Sequence, residues 1–194
     1  MSLLVLTTGG TIGALPYEDP RKPPEFSSMP PAGRDFVREA LETHFASVKT
    51  RCIALEPCDS KLMDESYRKE ILSLIETAPE EAVLITHGTD ALLNTADFFY
   101  ALFRRNAVLG GKKIILTGSM TPLSNGAESD GYLNLAFSLD RLTQRASLPK
   151  GVNIVLCDFD KEGAWKPRLY AYAPDTYEKF YDLDCRYSRL RKRL

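Results

Sequence analysis

What most constrains this chain is a recurring order of three pieces: a short apolar run, a turn built from glycines and hydroxyls, and a stretch with helical periodicity. Leu3-Leu4-Val5-Leu6 runs into Thr7-Thr8-Gly9-Gly10-Thr11. AVLIT runs into Thr86-His87-Gly88-Thr89-Asp90, and KKIILTGSM carries Thr117-Gly118-Ser119 at its exit. Residues 48–55 and the segment GVNIVLC supply two more apolar runs. Runs this short, bounded by turn residues, read as buried strands. Helical spacing fills the gaps between them. RDFVREALETHF places Phe36, Val37, Ala40, Leu41 and Phe45 on one stripe. ESYRKEILSLIETA, after Asp64 as N-cap, puts Tyr67, Ile71, Leu74 and Ile75 on one face. ALLNTADFFYALF turns Leu92, Ala96, Phe99 and Phe103 inward, and Asp130 and Gly131 lead into YLNLAFSLDRLTQ. Five strands alternating with helices predict an α/β fold: a doubly wound, mainly parallel sheet with helices on both faces, in a single domain.

The size and composition suit that fold. With 194 residues, 44% of them hydrophobic, one core needs no disulfide or metal staple. The formal net charge of −1 points to neither a nucleic acid nor a membrane surface as partner, and no apolar run is long enough to span a bilayer. No basic segment precedes the first apolar run, which argues against a signal peptide. Cys52, Cys58, Cys157 and Cys185 are scattered without ligand spacing, so buried free thiols in a reducing cytoplasm are expected, with no metal. Two segments break the rhythm. Residues 14–33 carry several prolines without periodicity and read as a long loop, the kind that is usually functional or disordered. Residues 176–194 end in the basic CRYSRLRKRL and read as a tail or surface helix after a domain over residues 1–175.

In an open parallel sheet, ligands bind beyond the carboxyl ends of the strands. The three glycine-and-hydroxyl turns therefore gather at one edge, where glycines let a ligand approach the backbone and helix N-termini attract anions. Any one such turn is weak evidence by itself. Together they describe a pocket for a small polar molecule with a carboxylate. Gly9, Gly10 and Gly13 lack the G-x-G-x-x-G spacing, and no phosphate loop is present, so a flavodoxin-like nucleotide binder is disfavoured. Nucleophile chemistry fits better. A threonine hydroxyl attacks only if a base takes its proton. Of the two histidines, His44 falls in a helix, and His87 sits in a turn where its ring can orient backbone. Thr89 and Asp90 pair a hydroxyl with a carboxylate, and a desolvated lysine can accept a proton beside them. Lys166, in AWKPR, follows the fifth strand and reaches the same edge if the sheet is parallel; its blander reading is a surface lysine.

TTGGTIG, LITHGTDALLNTADFF and LTGSMTPLSNGAESDGYLNLAFSL, in this order, resemble the signature blocks of the bacterial-type L-asparaginase family. The resemblance implies hydrolysis of asparagine to aspartate and ammonia, with glutamine as a possible second substrate and no cofactor. It implies that Thr11 is the nucleophile, and that Thr89 and Asp90 bind substrate and form a relay with a lysine, either Lys166 or Lys161. Ser60, with Asp59 as neighbour, falls where the family grips the substrate carboxylate, and Tyr17 where its mobile loop carries a tyrosine. Gly10, Gly88 and Ser119 complete the expected substrate contacts, and the amides around Thr89 and Gly10 are natural donors to an oxyanion. A non-catalytic module that binds asparagine or aspartate in the same pocket is the alternative. The family's members are longer, with a smaller C-terminal domain, and Ala91 stands where they commonly carry threonine, so a short, single-domain member is expected. A homo-oligomer would then cover the strand-end edge, with Tyr170, Tyr172, Tyr177, Phe180 and Tyr181 as its interface.

Overall fold

The computed structural model describes residues 2–16, 34–103, 105–127, 129–144, 148–159 and 165–172. Its centre is one six-stranded sheet: β1 Leu3–Thr7, β2 Thr50–Ala54, β3 Ala82–Thr86, β4 Lys113–Thr117, β5 Gly151–Phe159 and β6 Trp165–Ala171, in the order β2-β1-β3-β4-β5-β6. The first five run parallel, and β6 returns antiparallel to β5. Among the described residues five α-helices flank it: α1 Phe36–His44, α2 Glu65–Thr77, α3 Leu92–Phe103, the single turn α4 Ala107–Gly110, and α5 Asp130–Thr143. β6 and α4 are the elements that periodicity did not announce. β6 carries Pro167 and is the edge strand of the sheet among the described residues, the place where a strand tolerates a proline.

Alternate residues of each central strand feed two separate cores. Leu4, Leu6, Val83, Ile85, Ile114, Leu116 and Ile154 pack with Ile71 and Ile75 of α2 and Leu92, Ala96 and Phe99 of α3. Leu3, Val5, Leu84, Ile115 and Val155 pack on the opposite face with Val37 and Leu41 of α1 and Leu135, Leu139 and Leu142 of α5. Both faces are covered, which is why these strands read as unbroken apolar runs. The caps are those that the residue types favour. Asp35 accepts from the amides of Val37 and Arg38, Asp64 from Tyr67, and Ser129 from Tyr132.

Register sets the position of the site. Thr7 pairs with Thr86, and Thr86 with Thr117, so the three strands end flush. The chain winds one way from β1 to β2 and the other way from β3 to β5, so the order reverses between β1 and β3. A crevice opens at such a reversal, beyond the carboxyl ends. The loops bearing Thr11 and Thr89 leave from the two strands that flank it.

Tyr170 and Tyr172, two of the residues expected at an interface, make contacts within the chain. Tyr172 is buried, its hydroxyl is 2.5 Å from Asp97 Oδ1, and its ring meets Tyr100 edge-on at 5.7 Å. Tyr170 packs against the α2/α3 core. Both are used within the chain; Tyr177, Phe180 and Tyr181 lie outside the described residues.

Candidate active site

Four of the loops that leave the carboxyl edge, those after β1, β2, β3 and β4, touch because side chains are missing between them. Gly10 has φ +80°, and a Cβ there would lie 2.6 Å from both N and Cα of Gly88. Only glycine allows that backbone and that approach. A Cβ on Gly88 would in turn lie 2.6 Å from Ser60 Oγ, and one on Gly118 would lie 2.6 Å from the His87 carbonyl and 3.0 Å from Thr89 Cγ2. The loops after β1, β2, β3 and β4 thus close on the His87–Thr89 segment. Hydrogen bonds tie them further. Thr8 Oγ1 donates to the Thr86 carbonyl at 2.8 Å, the Cys58 amide donates to the Thr8 carbonyl at 2.9 Å, and the Ala91 amide donates to Ser60 Oγ at 3.3 Å.

Thr11 opens a short 3₁₀ turn, Thr11–Gly13, held by the Ala14 amide donating to the Thr11 carbonyl. Ile12 is fully buried in the α1/α5 core and anchors this turn, while Thr11 stays half-exposed. Thr89 and Asp90 begin a second 3₁₀ turn, Thr89–Ala91, that runs directly into α3. Thr89 is half-buried and Asp90 is exposed. Thr11 and Thr89 each follow by one residue a glycine of the closest contact between the loops.

Beneath them lies His87, fully buried. Its Nδ1 is 2.7 Å from the Gly88 carbonyl and its Nε2 is 2.9 Å from Thr95 Oγ1, which accepts from Arg68 Nε at 3.1 Å. These partners select one tautomer: Nδ1–H donates to the carbonyl, and Nε2 accepts from the threonine hydroxyl. Burial pushes the imidazole down to about 4, so it stays neutral. The ring holds the turn and is no proton acceptor near Thr11. Cys58 is no rival nucleophile, since burial, with Asp59 and Asp64 nearby, pushes its thiol up.

The other expected residues fall in different settings. Ser60 is buried under Gly88 and Ala91. Asp59 caps its own turn, accepting from the Lys61 amide at 2.9 Å. Ser119 is 1% exposed, its Oγ has no hydrogen-bond partner among the described residues, and it packs beneath α5 at Gly131 rather than opening onto the edge. Asp130, buried at the start of α5, accepts from the Met120 and Thr121 amides at 2.7 Å each and so pins the loop after β4; burial raises its carboxyl above the usual range despite these bonds. Lys166 is exposed on β6, paired in register with Asp158, with β4 and β5 between it and β3. The lysine that does meet Asp90 is Lys61, its Nζ 3.3 Å from Asp90 Oδ2. Sequence reasoning passed over Lys61; the signal available was its place directly after Ser60. Lys161 and Tyr17 lie outside the described residues.

Against known proteins, the N-terminal asparaginase domain matches residues 2–180. The chain belongs to the asparaginase family. A glutaminase-asparaginase of Acinetobacter glutaminasificans is 24% identical over 160 residues, covering 81% of this chain and 46% of that protein. A probable cytoplasmic L-asparaginase from Campylobacter jejuni superposes with a TM-score of 0.57 at 22% identity, over 79% of this chain and 45% of its own. The thermostable L-asparaginase from Thermococcus kodakarensis gives 0.51 at 23% identity, over 79% and 43%. The chain spans a little under half the length of these asparaginases, and the likeness to the two structures establishes the fold they share.

Proposed function

We propose that this asparaginase-family chain is an amidohydrolase that converts L-asparagine to L-aspartate and ammonia, with Thr11 as nucleophile. The observation that carries the reading is the closure of the Thr11 and Thr89 turns on each other through Gly10 and Gly88 at the strand-order reversal. The Thr11 hydroxyl attacks the carboxamide carbon as its proton passes to a base. The C–N bond then breaks, the proton leaves with ammonia, and water hydrolyses the resulting ester to aspartate. The amides around Gly10 and Thr89 are the natural donors to the developing oxyanion. Asp90 meets the substrate's α-ammonium. Ser60, buried beneath Gly88, holds the turn that presents both.

The relay lysine is the open part of this proposal. Lys166 is the leading candidate, and Lys161 is the alternative. A non-catalytic module that binds aspartate or asparagine is the second reading, favoured by the place of Lys166 on β6, with β4 and β5 between it and β3. A cytoplasmic location belongs to the leading reading, supported by the free thiols of Cys52, Cys58 and Cys157. Ammonia release from L-asparagine, L-glutamine and their D-forms tests it. Release from L-asparagine supports the hydrolase, and none with aspartate binding retained supports the binding module.

A further inference from the structure

His87 is tied to two helices by a line of hydrogen bonds whose direction is set at its outer end. Arg68, half-buried on α2, holds its Nε 3.1 Å from Thr95 Oγ1 on α3, and Thr95 Oγ1 lies 2.9 Å from His87 Nε2. A guanidinium nitrogen only donates, so Thr95 Oγ1 accepts from Arg68 and its own proton goes elsewhere. Two acceptors are in reach, His87 Nε2 at 2.9 Å and the Met63 sulfur at 3.6 Å. The ring nitrogen is the nearer, and a thioether is a weak acceptor. Nε2 therefore receives a proton instead of carrying one. The Met63 sulfur, 3.1 Å from Nε2, is the partner that the opposite tautomer would use. The neutral ring keeps its single proton on Nδ1, which donates to the Gly88 carbonyl at 2.7 Å.

That carbonyl shares a peptide unit with the Thr89 amide. The peptide is trans, so its C=O and N–H point in opposite directions. Gly88 has no side chain to restrain this unit, and its oxygen is drawn down onto a fully buried ring. The Thr89 N–H consequently points away from the ring, toward the edge where the loops meet. We propose that Arg68 and Thr95 are positioning residues: by fixing the tautomer of His87 from the far side of its ring, they aim the Thr89 amide at the oxyanion. The inference rests on the hydrolase reading and deepens it. Without Arg68, Thr95 Oγ1 can accept from an Nε2–H. A bare Nδ1 then stands 2.7 Å from a carbonyl oxygen, two acceptors face each other, and the peptide turns.

The test reads the His87 ring-nitrogen NMR shifts and the turnover in the same variants: Thr95→Val, Thr95→Ser, Arg68→Met and Arg68→Lys, with thermal melts alongside. The chain has only two histidines, so His44→Gln assigns the signals. The unsubstituted chain should show the Nδ1–H tautomer. Thr95→Val and Arg68→Met should populate the Nε2–H form. They should also lower kcat for ammonia release from L-asparagine by about tenfold or more with KM little changed, short of the roughly 10²–10³-fold that losing a whole oxyanion donor costs. Thr95→Ser keeps the hydroxyl and Arg68→Lys keeps a cation that only donates, so both should retain tautomer and rate. Arg68→Met, at a half-buried side chain, carries the test by itself should Thr95→Val fail to fold. Side chains that only packed α2 against α3 would shift the melting temperature and leave the ring signals alone. The Nδ1–H tautomer retained in the folded variants, or the tautomer exchanged at unchanged kcat, overturns the inference. No ammonia from the unsubstituted chain overturns the hydrolase reading instead. The ring signals then decide the relay: exchange in the variants supports it, and retention overturns it.

Discussion

Thr11 is half-exposed between a glycine with positive φ and a fully buried isoleucine, so the turn that carries it is anchored on both sides. Thr11→Ala removes one oxygen from a turn whose anchors remain. It should leave the melting temperature nearly unchanged and lower kcat by about 10³-fold or more, since groups that act as a unit lose nearly the whole effect with one member. Steady-state ammonia release beside a thermal melt checks this; a variant that keeps most of its rate shows that Thr11 is not the nucleophile. Thr89→Val should also reduce kcat, and an effect confined to KM would assign Thr89 to binding only. For the relay lysine, the comparison is direct. Lys166→Met should slow ammonia release far more than Lys161→Met, and the reverse result moves the relay to Lys161.

The loops work as elements because they share contacts. A methyl group at Gly10 would overlap the Gly88 backbone at 2.6 Å and would force an ordinary residue to φ +80°. Overpacking costs about 1–3 kcal/mol and a disfavoured backbone about 1–3 more, so Gly10→Ala should lose roughly 2–6 kcal/mol in urea unfolding. A loss under 1 kcal/mol would mean that the two turns do not touch. Asp130 plays the matching part for the loop after β4. Asp130→Ala leaves two amides, Met120 and Thr121, without their acceptor, at a cost of about 1–3 kcal/mol.

The molecule as a whole should record the buried imidazole in its response to acid. His87 has an ordinary value of 6.5 and is held near 4 in the fold, by burial above all. Between those two values the unfolded chain binds a proton that the folded chain refuses, so stability falls as pH drops from 6.5 toward 4. His87→Gln should remove this share of the slope, measured as urea midpoints across that range; a slope unchanged in the variant would show that other groups set it. Self-association through the C-terminal aromatic segment is also expected to cover the strand-end edge; within that segment Tyr172 is buried in the chain and Tyr170 is half-buried. Sedimentation at assay concentrations checks it: a monomer with full, concentration-independent specific activity ends that expectation.

The periodicities of the chain determined its layers by themselves. Side chains alternate between the two faces of a strand and return to one face near every four residues in a helix, so the unbroken apolar run Leu3–Leu6 announces a strand covered on both faces, and Ile71 and Ile75 announce the buried face of a helix. The glycine-and-hydroxyl turns announced the edge where the loops would meet, because a conformation open only to glycine is a property of single residues. Three things needed the tertiary structure. Ser119, whose turn looks like those of Thr11 and Thr89, faces α5 because Gly131 leaves room there. Lys166 lies on a returning strand, and the direction of that strand is set by pairing with β5. Lys61 reaches Asp90 across 29 residues of chain because Ser60 and Met63 both bury their side chains against the turn after β3. A lysine's partner depends on where its flexible stem is rooted in space, and no local pattern carries that information.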